Sequence, residues 1–252
     1  MQAKIYPIYI LLDVSDSMRR KTSNGQRLID LSSKIPEALF SLYEEHNSLA
    51  SNLSIALVTF NDTASLVQPL SPINSLSELT GLEASGRTSY SSAFEFLHST
   101  ISKDMSDDQG RLYKRPLVIV ATDGGPNDPP SVRELAFRTL VPLDKKAGKP
   151  EFSLGKHIPN VAIFAFGLPT NPGERALHVR EMKKYVTKDE YFYLADEAKD
   201  LYEQFESVVT YIAETVWESM FADQQKEIQD DEWEIMMSKL NSGEGDLPIF
   251  SS

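Results

Sequence analysis

Cysteine is absent from the 252 residues of this sequence. Its absence excludes thiolate catalysis, zinc sites built on cysteine and a disulfide-stapled scaffold. A chain of this length buries enough apolar surface to fold as an α/β domain without such staples. The lack of cysteine also favours a reducing compartment.

Long apolar runs are missing as well. The longest run near the N-terminus, residues 5–12, has eight residues, contains Pro7 and ends before Asp13. It is too short for a secretory signal, and no stretch approaches the roughly 20 apolar residues of a membrane-spanning helix. We therefore expect a cytoplasmic protein that has no membrane partner.

Positive charge is scarce, because 25 Lys and Arg stand against 37 Asp and Glu, for a net charge of −12. A field of this sign is poorly suited to binding nucleic acid or an anionic membrane. Eight acidic but only two basic residues lie in 223–252. This shift in composition predicts a folded domain over 1–221 and an acidic, partly helical C-terminal extension over 222–252.

Strand-like and helix-like patterns alternate along the domain. Apolar runs predict strands at 5–12, 53–60, 63–70, 116–121, 158–166 and 191–194. Apolar residues at helical spacing predict helices at 26–45, 89–101, 129–140, 174–184 and 198–221. Polar stretches predict a mobile loop at 102–114 and a surface insertion at 142–156.

This alternation is typical of a doubly wound α/β fold. We expect a mostly parallel central sheet, with helices on both of its faces. The turn at Asn61 and Asp62 predicts that 53–60 and 63–70 form a hairpin, which makes 63–70 the one antiparallel edge strand.

Oxygen donors follow the first predicted strand. The segment Asp-Val-Ser-Asp-Ser-Met offers one carboxylate and two hydroxyls, from Asp13, Ser15 and Ser17. Polar loops around Thr88 and Asp123 lie before a predicted helix and after a fully apolar strand. Ligands of open α/β sheets bind at the carboxyl ends of the strands, so these loops are candidates for one site. Carboxylate and hydroxyl oxygens are donors that Mg²⁺ prefers.

The three motifs in this order, Asp-x-Ser-x-Ser, a Thr in a glycine-containing loop and Thr-Asp-Gly, resemble the metal-ion-dependent adhesion site of von Willebrand factor A domains. The resemblance implies the Rossmann-like fold of that family. It implies that the hydroxyls of Ser15, Ser17 and Thr88 bind the metal, which is Mg²⁺ or alternatively Mn²⁺. It also implies that Asp13 and Asp123 bind this ion directly or through water.

The resemblance covers about residues 1–221 and departs from the family in one loop. Arg87 stands where the family often has the second glycine of Gly-Gly-Thr, which leaves Thr88 as the ligand. The phrases at 7–18 and 121–128 look like those of the bacterial tellurite-resistance, TerY-like branch. That likeness implies kinase- or phosphatase-like partner proteins in a stress-response or phage-defence cluster.

The donor count favours binding over catalysis. At most two carboxylates and three hydroxyls are available, so one position of the metal octahedron stays open to a partner's Asp or Glu. No second metal and no general base are evident, and signatures of serine hydrolases, P-loop proteins and zinc proteases are absent. We expect a non-enzymatic, Mg²⁺-dependent docking domain whose protein partner supplies an acidic or phosphorylated segment.

Three other interpretations stay open. Asp13, Ser15 and Ser17 are also residue types of a simple helix-capping loop. A phosphate-handling enzyme that uses Asp13 or Asp123 would likewise place its nucleophile after a parallel strand, but Ser15 then stands where an acid/base carboxylate belongs. The third interpretation is a scaffold whose metal site stays empty.

Four cations flank two of the metal-ligand loops, namely Arg19, Arg20, Lys21 and Arg87. They are candidates for binding the acidic partner segment and steering it toward the metal. The alternative is a solvated helix start, because surface Arg and Lys need no special explanation. The histidines, including His178, lack metal-ligand spacing and are expected at the surface or hydrogen-bonded within the fold.

Overall fold

A computed structural model describes residues 4–22, 25–34, 52–76, 79–106, 112–142 and 158–195. Four predicted features lie outside these residues: part of the first helix (35–45), nearly all of the insertion at 142–156, the helix at 198–221, and the extension over 222–252.

The described strands form one mixed sheet. In chain order they are β1 (Lys4–Asp13), β2 (Leu53–Phe60), β3 (Ala64–Pro72), β4 (Leu112–Tyr113), β5 (Leu117–Thr122), β6 (Asn160–Phe166) and β7 (Phe192–Ala195). Their order is β3-β2-β1-β5-β6-β7, and the short β4 also pairs with β1. Only the β2–β3 pairing among them is antiparallel. The predicted mostly parallel sheet with one antiparallel edge strand is confirmed.

Four helices are described, namely α1 (Leu28–Ser32), α2 (Tyr90–Ser106), α3 (Pro130–Leu140) and α4 (Pro172–Met182). Short 3-10 turns occur at Asp16–Arg19, Ile73–Ser75, Lys183–Tyr185 and Asp189–Tyr191. Proline opens both α3 and α4, as expected for a residue whose missing N–H has no helical partner in the first turn. Within the described ranges, no helix is long and apolar enough to cross a membrane.

Between its polar ends β1 is apolar, as expected for a strand that is buried on both faces. Tyr9 and Leu11 belong to a core that also contains side chains of α2 and α3. Ile8 and Ile10 point to the opposite face of the sheet and are buried as deeply. Because both faces of β1 are buried in the core, only the polar residues at its carboxyl end can take part in binding or chemistry.

An aromatic cluster holds the helices of one layer together. Tyr90 and Phe94 of α2 contact each other and Tyr185, which follows α4. Phe137 of α3 contacts Phe94 and Tyr185, and the ring centroids of all these pairs lie 5.3 to 5.8 Å apart. Most of these rings meet edge to face, the arrangement that aromatic quadrupoles favour. The cluster fixes the start of α2, which immediately follows the loop that carries Thr88.

α2 is longer than the sequence analysis predicted. The expected end was at residue 101, but the helix continues to Ser106 because Ile101 and Met105 extend its buried apolar stripe. β4 also falls inside the stretch expected to be a mobile loop, 102–114, and pairs with β1. The loop prediction is therefore wrong for the described parts of that stretch.

β3 lies at the sheet edge and is less regular than the central strands. Its pairing with β2 has two register shifts, both next to Leu57. β3 contains Pro69 and Pro72 and exposes the side chains of Leu66 and Val67. Proline is tolerated at a sheet edge, where its missing N–H interrupts no second ladder of hydrogen bonds.

The chain winds outward in both directions from β1. β2 and β3 lie on one side of it, whereas β5, β6 and β7 lie on the other. The connections after β1 and β5 therefore diverge, which opens a crevice at the carboxyl ends of these strands. Asp13 ends β1 and Asp123 follows β5, so both carboxylates lie at this crevice.

A buried arginine joins α3 to α4, to the turn that follows α4 and to the loop after β5. Arg133 Nε donates to the Tyr185 hydroxyl at 2.8 Å, and Nη2 pairs with Glu181 Oε2 at 2.9 Å. Its Nη1 donates to the backbone carbonyl of Asp128. Arg133 is only 5% exposed, so its charge is tolerated because hydrogen bonds surround the guanidinium.

We expect Arg133→Met to lower the free energy of unfolding by about 2 to 4 kcal/mol, because Tyr185 and Glu181 lose their shared partner. Glu181 keeps Lys184 at 2.7 Å, which limits the loss. Urea or guanidinium unfolding measures the change.

Arg138→Met is the matched control, since it removes one positive charge from the same helix. Among the described residues Arg138 pairs only with Glu134, in an exposed contact, so its loss should cost less than about 1 kcal/mol. Equal losses in the two variants would show that the buried network around Arg133 carries no special stability.

Candidate functional site

The Asp13 carboxylate is fully buried at the end of β1. Its Oδ1 accepts a hydrogen bond from the backbone N–H of Ser15 at 2.8 Å, and Oδ2 accepts one from the Thr122 hydroxyl at 2.6 Å. Thr122 ends β5, so this carboxylate ties together the ends of two neighbouring strands. The bond to Ser15 turns the chain sharply after β1, in the manner of an Asx turn.

Two serine hydroxyls and a second carboxylate form a continuous row beside Asp13. Ser15 Oγ lies 3.0 Å from Ser17 Oγ, and Ser17 Oγ donates to Asp123 Oδ1 at 2.7 Å. Ser15 and Asp123 are buried, and Ser17 is half-buried. The fold thus brings Ser17 and Asp123 into contact although they are 106 residues apart in the chain.

The surroundings of Asp13 change the pKa of its carboxyl group. Burial, and after it the negative charge of Asp123, raise the pKa of Asp13 to about 6, against the hydrogen bonds from Ser15 and Thr122. A cation between the two carboxylates would offset both the burial cost and the repulsion. The site therefore has the electrostatic character of a cation-binding pocket.

The loop that carries Thr88 packs beside the turn after β1. The N–H of Asp16 donates to the carbonyl of Gly86 at 2.9 Å. The N–H of Thr88 donates to the side-chain oxygen of Asn127 at 2.9 Å, and the N–H of Asn127 donates back to the carbonyl of Thr88 at 2.8 Å. These bonds hold the buried Thr88 between the two other loops, so all five predicted metal ligands lie on loops in mutual contact.

The backbone conformation of Gly86 allows the Thr88 loop to accommodate Arg87. Gly86 has a φ of +73°, and a Cβ at this position would overlap the Asp62 carboxylate. Asp62 accepts from the N–H of Arg87 at 3.1 Å and pairs with its Nε at 3.3 Å. The Arg87 side chain is thereby drawn toward Asp62, and Thr88 keeps its place in the loop.

Three of the predicted partner-binding cations, Arg19, Lys21 and Arg87, are exposed around the site. Arg19 lies 3.4 Å from Asp16, and Arg87 lies 3.3 Å from Asp62, both in exposed pairs. Such pairs are weak, so these charges remain available to an acidic segment, although Arg19 Nε also donates to the backbone carbonyl of Ala84 at 2.8 Å.

Arg20, the fourth predicted cation, has a different environment. Its Nη2 lies 2.7 Å from Asp123 Oδ2, a carboxylate that has no exposed surface. The same guanidinium contacts the backbone carbonyls of Asp123 at 3.4 Å and Ser17 at 3.2 Å. Arg20 is therefore engaged within the site as well as being partly exposed at its edge.

Three residues of this region had no role predicted from the sequence, namely Thr122, Asn127 and His178. His178, on α4, accepts a hydrogen bond at Nδ1 from the N–H of Gly125 at 3.0 Å. His178 is hydrogen-bonded, as expected. Its position beside the loop of Asp123 was not predicted. Local spacing carries no signal for contacts of this kind, because each joins segments that are distant in the chain.

The donor set fits a hard divalent cation. It consists of two carboxylates and three hydroxyls, without imidazole or thiolate. In the parts of the chain that the structure describes, no group of three or more His, Cys, Asp or Glu side chains is placed to hold a metal. A metal here would therefore depend on the hydroxyls, and an all-oxygen set suits Mg²⁺ better than Zn²⁺.

Residues 8–125 match the family model described as the von Willebrand factor type A domain. This range covers a little less than half of the chain and contains all five predicted metal ligands. No curated protein sequence matches the chain.

Solved structures of bacterial pilus proteins are similar in fold. The PilB minor pilin from Streptococcus sanguinis has a TM-score of 0.53 and 14% identity, over 86% of this chain and 63% of its own. The pilus adhesin SpaC from Lactobacillus rhamnosus GG has a TM-score of 0.55 and 14% identity, over 84% of this chain and 30% of its own. The chain thus spans less than two thirds of either protein, and the likeness establishes a shared Rossmann-like α/β fold.

We expect Gly86→Ala to lower the free energy of unfolding by about 1 kcal/mol more than Gly81→Ala does. Both glycines have a positive φ, of +73° and +74°, so both variants carry the cost of a left-handed alanine, about 1 to 2 kcal/mol. Only at Gly86 must the Asp62 carboxylate also move and give up bonds to Arg87.

Chemical denaturation of the two variants measures this difference. Gly81 has open space around its Cβ position, so it isolates the backbone cost from the overlap. Equal losses would mean that the Asp62 contact does not hold the Thr88 loop.

Proposed function

We propose that this protein is a Mg²⁺-dependent docking domain of the von Willebrand A type, in which a bound ion receives an acidic group of a partner protein. Asp13, Ser15, Ser17, Thr88 and Asp123 would hold the ion, with Mn²⁺ as the alternative metal. The observation that carries this proposal is the unbroken row from Ser15 through Ser17 to Asp123, beside the buried Asp13. A bound divalent cation supplies a positive centre with a coordination position open to an acidic oxygen.

The charges of the site favour an anionic ligand. Two positive charges on the ion would balance the carboxylates of Asp13 and Asp123, and the guanidinium of Arg20 then leaves one positive charge in excess. Arg19, Lys21 and Arg87 add exposed positive charge around it. An Asp, a Glu or a phosphorylated segment of a partner is the complementary ligand.

The surroundings of Asp13 argue against the alternative of a phosphate-handling enzyme. A nucleophilic carboxylate must be reached by the phosphorus of its substrate, but Asp13 is fully buried and each of its oxygens already accepts a hydrogen bond. Asp123 likewise has one oxygen bonded to Ser17 and the other to Arg20. We therefore propose a binding role without catalysis.

The finer parts of the proposal follow from the sequence resemblance. They are a TerY-like protein of the bacterial cytoplasm, and kinase- or phosphatase-like partners in a stress-response or phage-defence cluster. The mildly acidic domain and its exposed basic residues near the ion site are compatible with a partner that presents an acidic segment.

We expect Mg²⁺ at about 100 times its Kd to stabilise the wild-type protein by about 2.7 kcal/mol, because it binds only the folded state. For a chain of this size the melting temperature should rise by about 5 to 10 °C. Calorimetric titration and thermal melting measure both effects. Identical melting in Mg²⁺ and in chelator would contradict the metal site.

Asp13→Asn should weaken Mg²⁺ binding by more than the roughly 10- to 100-fold that changes in the outer shell of a metal site cause. In chelator the variant should melt no lower than the wild type, since the repulsion between Asp13 and Asp123 is removed. Asp16→Asn is the matched control, because Asp16 is in the same turn but is exposed. It should bind Mg²⁺ within about twofold of the wild type.

Retention of a partner protein from the native host should require Mg²⁺ and should fail in chelator. Asp13→Asn should abolish retention, whereas Asp16→Asn should preserve it. Mg²⁺-dependent turnover of an aryl phosphate that disappears in Asp13→Asn would overturn the docking function in favour of an enzyme.

A further inference from the structure

We infer that Arg20 is a positioning residue of the metal site, which holds the Asp123 carboxylate so that one oxygen faces the serine hydroxyls. This inference rests on the proposed function, because it concerns the metal that Asp123 would bind. It assigns to Arg20 a role that differs from that of the neighbouring Arg19, although both belong to the same basic run.

The two oxygens of Asp123 have different partners. Oδ1 accepts the hydrogen bond of Ser17 at 2.7 Å and so lies on the side of the serine row. Oδ2 lies 2.7 Å from Nη2 of Arg20. A carboxylate held at both oxygens does not rotate freely, and its Oδ1 stays directed toward the Ser17 hydroxyl.

Arg20 is itself held by the turn that carries the serine hydroxyls. Its N–H donates to the carbonyl of Ser17 at 3.0 Å, and its Nε contacts the same oxygen at 3.2 Å. The guanidinium therefore bridges the turn after β1 and the loop after β5. Because it contacts both Ser17 and Asp123, it helps to fix the distance between these two residues.

Positioning and simple charge predict opposite effects on the metal. Arg20 carries a positive charge near the proposed ion, so if charge alone mattered, its removal would tighten Mg²⁺ binding. If Arg20 orients Asp123, its removal leaves a carboxylate that must be ordered when the ion binds, and affinity falls. Groups that orient metal ligands typically contribute about 10- to 100-fold to affinity.

The experiment compares Mg²⁺ binding by calorimetric titration in the wild type, Arg20→Gln, Arg20→Lys and Arg19→Gln. Arg20→Gln should raise the Kd about tenfold. Arg20→Lys keeps the charge but not the planar fork, so it should raise the Kd by about threefold. Arg19→Gln removes the same charge from the same turn at a residue that contacts Asp16 and the Ala84 carbonyl rather than Asp123, and it should change the Kd by less than about twofold.

Thermal melting in chelator supplies a readout that does not involve the metal. Arg20→Gln should melt below the wild type, because the buried Asp123 carboxylate loses its ion pair. Circular dichroism checks that the variants are folded. If Arg20→Gln does not fold, Arg20→Lys decides the question, and a Kd equal to that of the wild type would overturn the inference.

Two further results separate this inference from the proposed function. Unchanged or tighter Mg²⁺ binding by Arg20→Gln, or an equal loss in Arg19→Gln, would overturn the positioning role and leave the metal site intact. A wild-type protein that binds no Mg²⁺ would instead overturn the metal site, and with it the basis for this role of Arg20.

Discussion

The hydrogen bond from Thr122 to Asp13 is the contact on which the arrangement of the site depends. It joins the last residues of β1 and β5, the two central strands from which the chain winds apart. The other oxygen of Asp13 bends the chain at Ser15, and this bend brings Ser17 to Asp123. The bond thus links the two loops that the sheet topology places side by side.

This geometry has an energetic cost that the rest of the site partly offsets. Because the sheet is buried on both faces, Asp13 ends its strand without contact with water, and its pKa rises accordingly. The positive charge of Arg20 compensates the neighbouring Asp123, but no described cation pairs with Asp13. A local arrangement that disfavours folding while concentrating negative charge is the pattern expected of a binding site.

Sequence patterns predicted the sheet and the polar residues that gather at its edge because both are encoded locally. The apolar run of β1 and the polar residues that follow it are adjacent in the chain, and strand ends of a parallel sheet meet at one edge. The pairing of Arg20 with Asp123 could not be predicted in this way, since a basic residue in a polar turn has the same local pattern whether it faces solvent or a buried carboxylate. The reciprocal bonds of Thr88 and Asn127 likewise join residues 39 positions apart.

The irregular edge strand β3 affects how the protein behaves at high concentration. A regular edge strand offers an unbroken row of N–H and C=O groups to which a strand of another molecule can add, and this is a common route to aggregation. In β3, Pro69 and Pro72 lack N–H groups, and the register shifts beside Leu57 disturb the spacing of the ladder. The edge also exposes the apolar side chains of Leu66 and Val67. The prolines and the register shifts therefore disfavour aggregation through strand pairing at this edge.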